Sequence, residues 1–150
     1  MRTVELTRLH ELVGVELGPT GWKHIGQDRI DAFAAVTGDH QWIHTDPERA
    51  ASGPFGGTVA HGYLTLSLVA AFMQELLRIE GARVRINYGL DKVRFPAAVR
   101  AGSRIRARLT VRDVKELPDA MVQAAYTVTV EADRGGKPVC VAETLARYAR

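Results

Sequence analysis

Asp39 and His44 stand five residues apart in the stretch Thr37-Gly38-Asp39-His40-Gln41-Trp42-Ile43-His44-Thr45-Asp46-Pro47. A carboxylate and an imidazole on one short segment can grip a single water molecule between them and move its proton. Imidazole exchanges protons near neutral pH, which suits it to that work. A second stretch, Phe55-Gly56-Gly57-Thr58-Val59-Ala60-His61-Gly62, leads into a long apolar run. If Gly62 opens a helix there, its amide and the positive end of the helix can hold an oxygen that gains negative charge. Glycine also lets a ligand approach the backbone closely. Taken singly, each polar residue has a plainer reading. An Asp after a helix-ending Gly is often a turn former bonded to its own backbone, and a loop His is often a packing residue.

The same residues raise the question of a metal. His40 and His44 are four apart, with Asp39, Asp46 and His61 nearby. On a helix that spacing presents two ligands on one face. Gly38 before them and Pro47 after them argue for a loop, and the glutamate of the metalloprotease pattern is absent, so no metal site is expected. Asp46 before Pro47 is explained as the N-cap of a short helix with proline at its first position. His61 is open to two readings, a ligand contact or a residue that orients the turn into the helix.

The elements that must position these groups follow from periodicity. Leu6 to Val13 predicts a short helix that Gly14 breaks, and Trp22-Lys23-His24-Ile25 a short strand. From Gln27 to Thr37, Ile30, Phe33, Ala34 and Thr37 fall three and four apart, a helical face closed by Gly38. Asp39 to Thr45 is expected as a loop, and Ser52 to Thr58 as another, kept non-helical by its Gly and Pro. A long helix runs from about Gly62 to Ile79. Leu64, Leu66, Leu68, Val69, Phe72, Met73, Leu76 and Leu77 surround most of it, which predicts burial.

After Gly81 the period becomes two. Val84, Ile86 and Tyr88 alternate with Arg85 and Asn87; Ile105, Ala107, Leu109 and Val111 with Arg104, Arg106, Arg108 and Thr110; Tyr126, Val128 and Val130 with Thr127, Thr129 and Glu131. A last run spans Val139 to Tyr148. These are antiparallel strands with one apolar and one polar face. A one-faced sheet and a buried helix satisfy each other when the sheet curls round the helix, an α+β arrangement.

The 150 residues suit one domain, 1–150. Twenty Lys and Arg against 17 Asp and Glu give a net charge of +3, spread along the chain without an arm or run. That excess suits an anionic ligand such as a phosphate-bearing carrier and gives no reason to expect nucleic acid. The Arg104/Arg106/Arg108 row reads as a solvated sheet face. Cys140, the one cysteine, excludes an internal disulfide and reads as a small buried hydrophobe. The first residues lack an apolar signal core, and Leu64 to Leu77 is too short and too polar to span a membrane. A cytoplasmic address is the expectation, without a membrane partner.

Over nearly the whole chain the sequence resembles the MaoC-like family of hot-dog hydratases, the R-specific enoyl-CoA hydratases and related dehydratases. The resemblance rests on Thr37-Gly38-Asp39, His44, Asp46-Pro47 and His61-Gly62, with Lys92-Val93-Arg94-Phe95-Pro96 and Ala101-Gly102-Ser103 further on. Much of that family has Asn-Pro where this chain has Gln41-Trp42, and the wording His40-Gln41-Trp42-Ile43-His44 is similar to its NodN-like branch. Gln41 keeps a carboxamide one methylene longer, and Trp42 lacks the fixed torsion of proline. The resemblance implies a hot-dog fold, a curled antiparallel sheet wrapped round a long central helix. It implies water addition to a trans-2-enoyl thioester to form an (R)-3-hydroxyacyl thioester, with Asp39 and His44 handling water and protons and the Gly62 amide as the oxyanion site. No metal or organic cofactor is implied. Gln41, Trp42, His61, Lys92 and Arg94 are the expected substrate contacts, Lys92 and Arg94 toward carrier phosphates. An acyl-CoA or acyl-carrier thioester is the implied partner, and a homodimer the implied assembly. The same fold hosts thioesterases, and a non-catalytic acyl-binding subunit of a dehydratase complex is a third reading.

Overall fold

The structure is a computed structural model describing residues 1–150. In chain order, β1 (Arg2–Glu5) runs into a 3-10 helix (Leu6–Leu12), followed by β2 (Glu16–Leu17) and β3 (Lys23–Ile25). Three helices come next, α1 (Gln27–Thr37), α2 (Trp42–Thr45) and α3 (Pro47–Ala51). The long helix α4 (Gly62–Leu76) passes directly into β4 (Leu77–Glu80), and four long strands complete the chain: β5 (Val84–Arg94), β6 (Ser103–Leu117), β7 (Met121–Ala132) and β8 (Cys140–Ala149).

The main sheet has the order β2-β6-β7-β8-β5, with β3 also pairing to β6, and its pairs are antiparallel. The period-two runs set its register. Leu109 lies opposite Val128 and Val128 opposite Ala142, so apolar residues stack on one face. Ile105, Ala107, Leu109 and Val111 on that face are fully buried. They join one hydrophobic cluster with Leu64, Val69, Phe72, Met73 and Leu76 of α4. On the other face Arg104, Arg106 and Arg108 pair with Asp133, Glu131 and Glu16, as a solvated sheet face should. The result is the α+β layering expected, with α4 packed on β6 and β8.

Four details differ from the sequence reading. The helix ends at Leu76 rather than Ile79, because Leu77 to Glu80 pairs in parallel with Arg2 to Glu5. Leu77 and Ile79 are apolar at a spacing of two, so the run satisfies either period until a partner strand decides it. The Leu6–Leu12 segment is a 3-10 helix that buries Leu6, Leu9 and Leu12. The Asp39–Thr45 segment contains one helical turn, α2, which carries His44. Over Val84 to Tyr88 of β5, up to the first of two register shifts, the phase of the alternation is reversed. Arg85 lies on the side toward α4, and Val84, Ile86 and Tyr88 are about half exposed. Having only β8 as a neighbour, β5 is an edge strand, and its apolar row turns away from the core.

No helix is long and apolar enough to cross a membrane. Cys140 is buried, and burial pushes its thiol up to about 11.

Candidate active site

The site begins where α1 stops. Gly38 takes the left-handed conformation (φ 78°) and its N–H donates to the Ala34 carbonyl at 2.8 Å, the geometry of a helix ended by glycine. The chain then turns sharply at Asp39, whose Oδ1 accepts the Gln41 N–H at 3.3 Å. Asp39 is exposed. The α2 turn follows, with His44 N–H on the Gln41 carbonyl at 2.9 Å and Asp46 N–H on the Trp42 carbonyl at 3.1 Å. Asp46 caps α3 as expected, its Oδ1 accepting the Arg49 N–H at 3.0 Å.

His44 is buried, and its ring is fixed from the side of Val59. The Val59 carbonyl accepts from His44 Nδ1 at 2.6 Å, and the Val59 N–H donates to the Ile43 carbonyl at 3.0 Å. A carbonyl only accepts, so Nδ1 carries the proton and Nε2 presents its lone pair. From the other side Gln27, the first residue of α1, donates through Nε2 to the His44 carbonyl at 2.7 Å. Gln27 Oε1 accepts from the Thr58 hydroxyl. The two segments that flank the site, α2 and Thr58–Ala60, are thus tied through one amide side chain.

His61 is 3% exposed and its ring stacks on that of His44, with centroids 3.8 Å apart and planes 24° apart. The Phe33 ring lies 5.0 Å away on the same imidazole. His61 Nε2 donates to the backbone carbonyl of Asp39 at 3.0 Å, and its Nδ1 is buried without a hydrogen-bond partner.

One ligand atom each from Asp39, His44 and His61 lie within 4.8 Å of one another. They suit an ion poorly. Stacked rings aim their lone pairs within nearly parallel planes, so an ion in the plane of one imidazole lies well out of the plane of the other. His44 Nδ1 and His61 Nε2 are also already committed to carbonyls.

Beside His44 opens a cavity of about 340 Å³, lined by His44, Gly62, Thr65, Phe95, Val99 and Phe55 among others, most of them apolar. Gly62 is the first residue of α4, so its amide has no acceptor within the helix. A Cβ there would stand 2.9 Å from the Phe95 ring, which explains glycine at this position by close approach.

The residues expected from sequence divide accordingly. His44 and Gly62 line this cavity, and Asp39 does not line it but has a ligand atom within 4.8 Å of one on His44. His61 is turned against His44 rather than toward the cavity. Gln41 is exposed beside Asp39, and Trp42 packs on Gly53 under the Arg49 guanidinium, 4.4 Å from its ring centroid. Lys92 and Arg94 are exposed on β5 and do not line the cavity, whereas their neighbour Phe95 does. Sequence reasoning missed Gln27, Thr58 and Phe95. Gln27 was visible only as a first-turn residue, and nothing local pairs it with Thr58, 31 positions away.

Residues 9–133 match the family described as the MaoC like domain. The 3-hydroxyacyl-thioester dehydratase Z of Mycobacterium tuberculosis is 48% identical over 149 residues, covering 99% of each chain. Nodulation protein N of Rhizobium meliloti is 41% identical over 148 residues, covering 97% of this chain and 92% of its own. Among solved structures, the R-hydratase PhaJ1 from Pseudomonas aeruginosa in its unliganded form is similar with a TM-score of 0.71 at 28% identity, over 92% of this chain and 82% of that one. A one-faced antiparallel sheet on a single long helix, matched along its length to dehydratases, settles the lineage: the chain belongs to the MaoC-like dehydratases, hydro-lyases of the hot-dog fold.

Proposed function

We propose that the chain is an (R)-specific enoyl-CoA hydratase, running equally as a 3-hydroxyacyl-CoA dehydratase, with Asp39, His44 and Gly62 as its catalytic groups. The observation that carries this reading is the His44 Nδ1–H bond to Val59, which leaves Nε2 unprotonated on a ring that lines an apolar cavity and has the Asp39 carboxylate close by. A water held between Asp39 and His44 Nε2 adds through its oxygen to C3 of the enoyl thioester. The C2–C3 π pair shifts toward the thioester carbonyl, whose oxygen gains negative charge facing the Gly62 amide. The Asp39/His44 pair takes the proton that water loses and delivers a proton to C2, which returns the pair to its starting state. Dehydration is the same path reversed. Every step uses groups of this chain.

The apolar lining suits an acyl chain, and the exposed Lys92 and Arg94 next to Phe95 support a contact with the phosphates of CoA or of a carrier protein. Gln41 and Trp42 support the loop around Asp39. We read the 150 residues as one domain that works in the cytoplasm. The half-exposed apolar row of β5 on an unpaired sheet edge supports a homodimer.

The test is to mix the protein with trans-2-enoyl-CoA of graded length. We expect loss of the conjugated thioester absorbance and a product of R configuration. Release of free thiol from saturated acyl-CoA, with enoyl substrates untouched, would instead make it a thioesterase.

A further inference from the structure

We infer that His61 is a positioning residue that sets the Asp39/His44 pair against the Gly62 amide, an inference resting on the hydratase reading above. Three observations meet in this one side chain. Its Nε2–H holds the Asp39 backbone carbonyl at 3.0 Å, its ring lies flat on His44 at 3.8 Å, and it immediately precedes Gly62 in sequence. The carboxylate, the imidazole and the oxyanion donor otherwise belong to three different segments, the α1–α2 link, α2 and the start of α4. His61 is where all three touch.

The chemistry of the position argues for that role over simple packing. An imidazole here leaves Nδ1 buried with no partner. A phenylalanine would fill the same space between Phe33 and His44 with every atom satisfied, so stability alone favours the apolar ring. What histidine adds is the Nε2–H on the Asp39 carbonyl. That carbonyl sits just after the left-handed Gly38, and the Asp39 backbone is otherwise held by a long contact of its N–H to the Thr37 hydroxyl at 3.5 Å. Asp39 is exposed, and its carboxylate is bonded only to the nearby Gln41 amide. Without the bond to His61 the Asp39 residue is held only by the long contacts to Thr37 and Gln41, and its peptide can turn and carry the carboxylate with it. A misplacement on the order of 1 Å of a catalytic group can cost about 100-fold in rate. Because the ring faces His44 and not the cavity, its loss should act on turnover and leave substrate binding alone.

The experiment compares four full-length variants in steady-state hydration of a short enoyl-CoA, with circular dichroism as a check on folding. His61→Phe keeps the stack and loses the donor. His61→Gln carries an amide N–H at about the same reach as Nε2, and His61→Asn has the same amide one methylene short. We expect kcat to fall about 10- to 100-fold in Phe and Asn with KM within about threefold of the parent, and to recover to within about threefold in Gln. The Gln/Asn pair is matched in polarity, so it decides the matter even if the Phe variant does not fold. Equal kcat in Gln and Asn overturns the inference, as does a rise in KM without a fall in kcat, which marks a substrate contact. The fourth variant, Asp39→Asn, separates the two levels of reading. If it is impaired while the His61 variants are not, only the positioning role falls; if it too runs at the parent rate, the hydratase assignment of the pair falls first.

Discussion

The Val59 carbonyl accepts the Nδ1–H of His44 at 2.6 Å, and this one bond selects the nitrogen that is left for chemistry. The His44 ring and the Asp39 carboxylate each bring a ligand atom within 4.8 Å of the other. If the two groups handle one water, neither is dispensable. Asp39→Asn and His44→Ala should each lower kcat for enoyl hydration by about 10² to 10⁴. Far-UV circular dichroism should stay native in Asp39→Asn, since that side chain is exposed.

Gly62 is constrained by the Phe95 ring rather than by its torsions. The Cβ of Gly62→Ala would meet Phe95 Cδ2 at 2.9 Å, so the ring has to move into the cavity or the helix end has to retreat. Either change disturbs the Gly62 amide that we propose as the oxyanion donor, and the overpacking should cost about 1–3 kcal/mol. We expect kcat/KM to fall at least about tenfold in this variant. Adding Phe95→Leu should restore part of the melting temperature, and a crystal structure of the double variant should show the α4 terminus back in place.

Cys140 should be chemically silent in the native protein. Burial pushes the thiol up to about 11, so at pH 7 to 8 it is overwhelmingly protonated and covered. Titration with a disulfide reagent should give no reaction under native conditions and one thiol per chain in denaturant. Cys140→Ser should therefore retain activity, and any loss of stability should trace to a hydroxyl among apolar neighbours.

The apolar row on β5 gives the assembly a direct check. Ile86→Glu or Tyr88→Glu places a charge on a strand whose only hydrogen-bonded neighbour is β8. If this edge joins two copies, sedimentation equilibrium should show the parent as a dimer and either variant as a monomer, with helix content unchanged. A variant that remains dimeric would move the interface elsewhere.

What could be read from sequence was local. Gly38 as a helix end and Asp46-Pro47 as a helix start announce themselves within four residues, because capping is chemistry between near neighbours. The core faces of β6 and β7 were also legible, since alternation with arginine and threonine leaves one way round. The phase of β5 was not. Its apolar residues point outward, which the pattern cannot distinguish from the usual inward case without knowing that the strand lies at an edge. The end of α4 failed for a similar reason: Leu77-Arg78-Ile79 needs Thr3-Val4 beside it to become a strand. At the candidate site, spacing and resemblance singled out Asp39, His44 and Gly62, of which the structure brings Asp39 close to His44 and sets His44 and Gly62 on one cavity. The stacking of His61 on His44 and the Gln27 bridge are contacts across 17 positions or more, which periodicity does not encode.

The direct passage of α4 into β4 bears on the far end of the helix. Leu77 follows Leu76 without a connecting loop and is already laced to Arg2 by the parallel pairing. A helix that ends in a loose turn can slide along its axis by a fraction of its pitch. One whose last residue is followed at once by the first rung of a ladder cannot, and α4, about 22 Å long for 15 residues, transmits that axial stop to its other tip. The amide of Gly62 thus inherits its fixity from residues 2 to 5, paired with the strand that leaves the opposite end of the same helix.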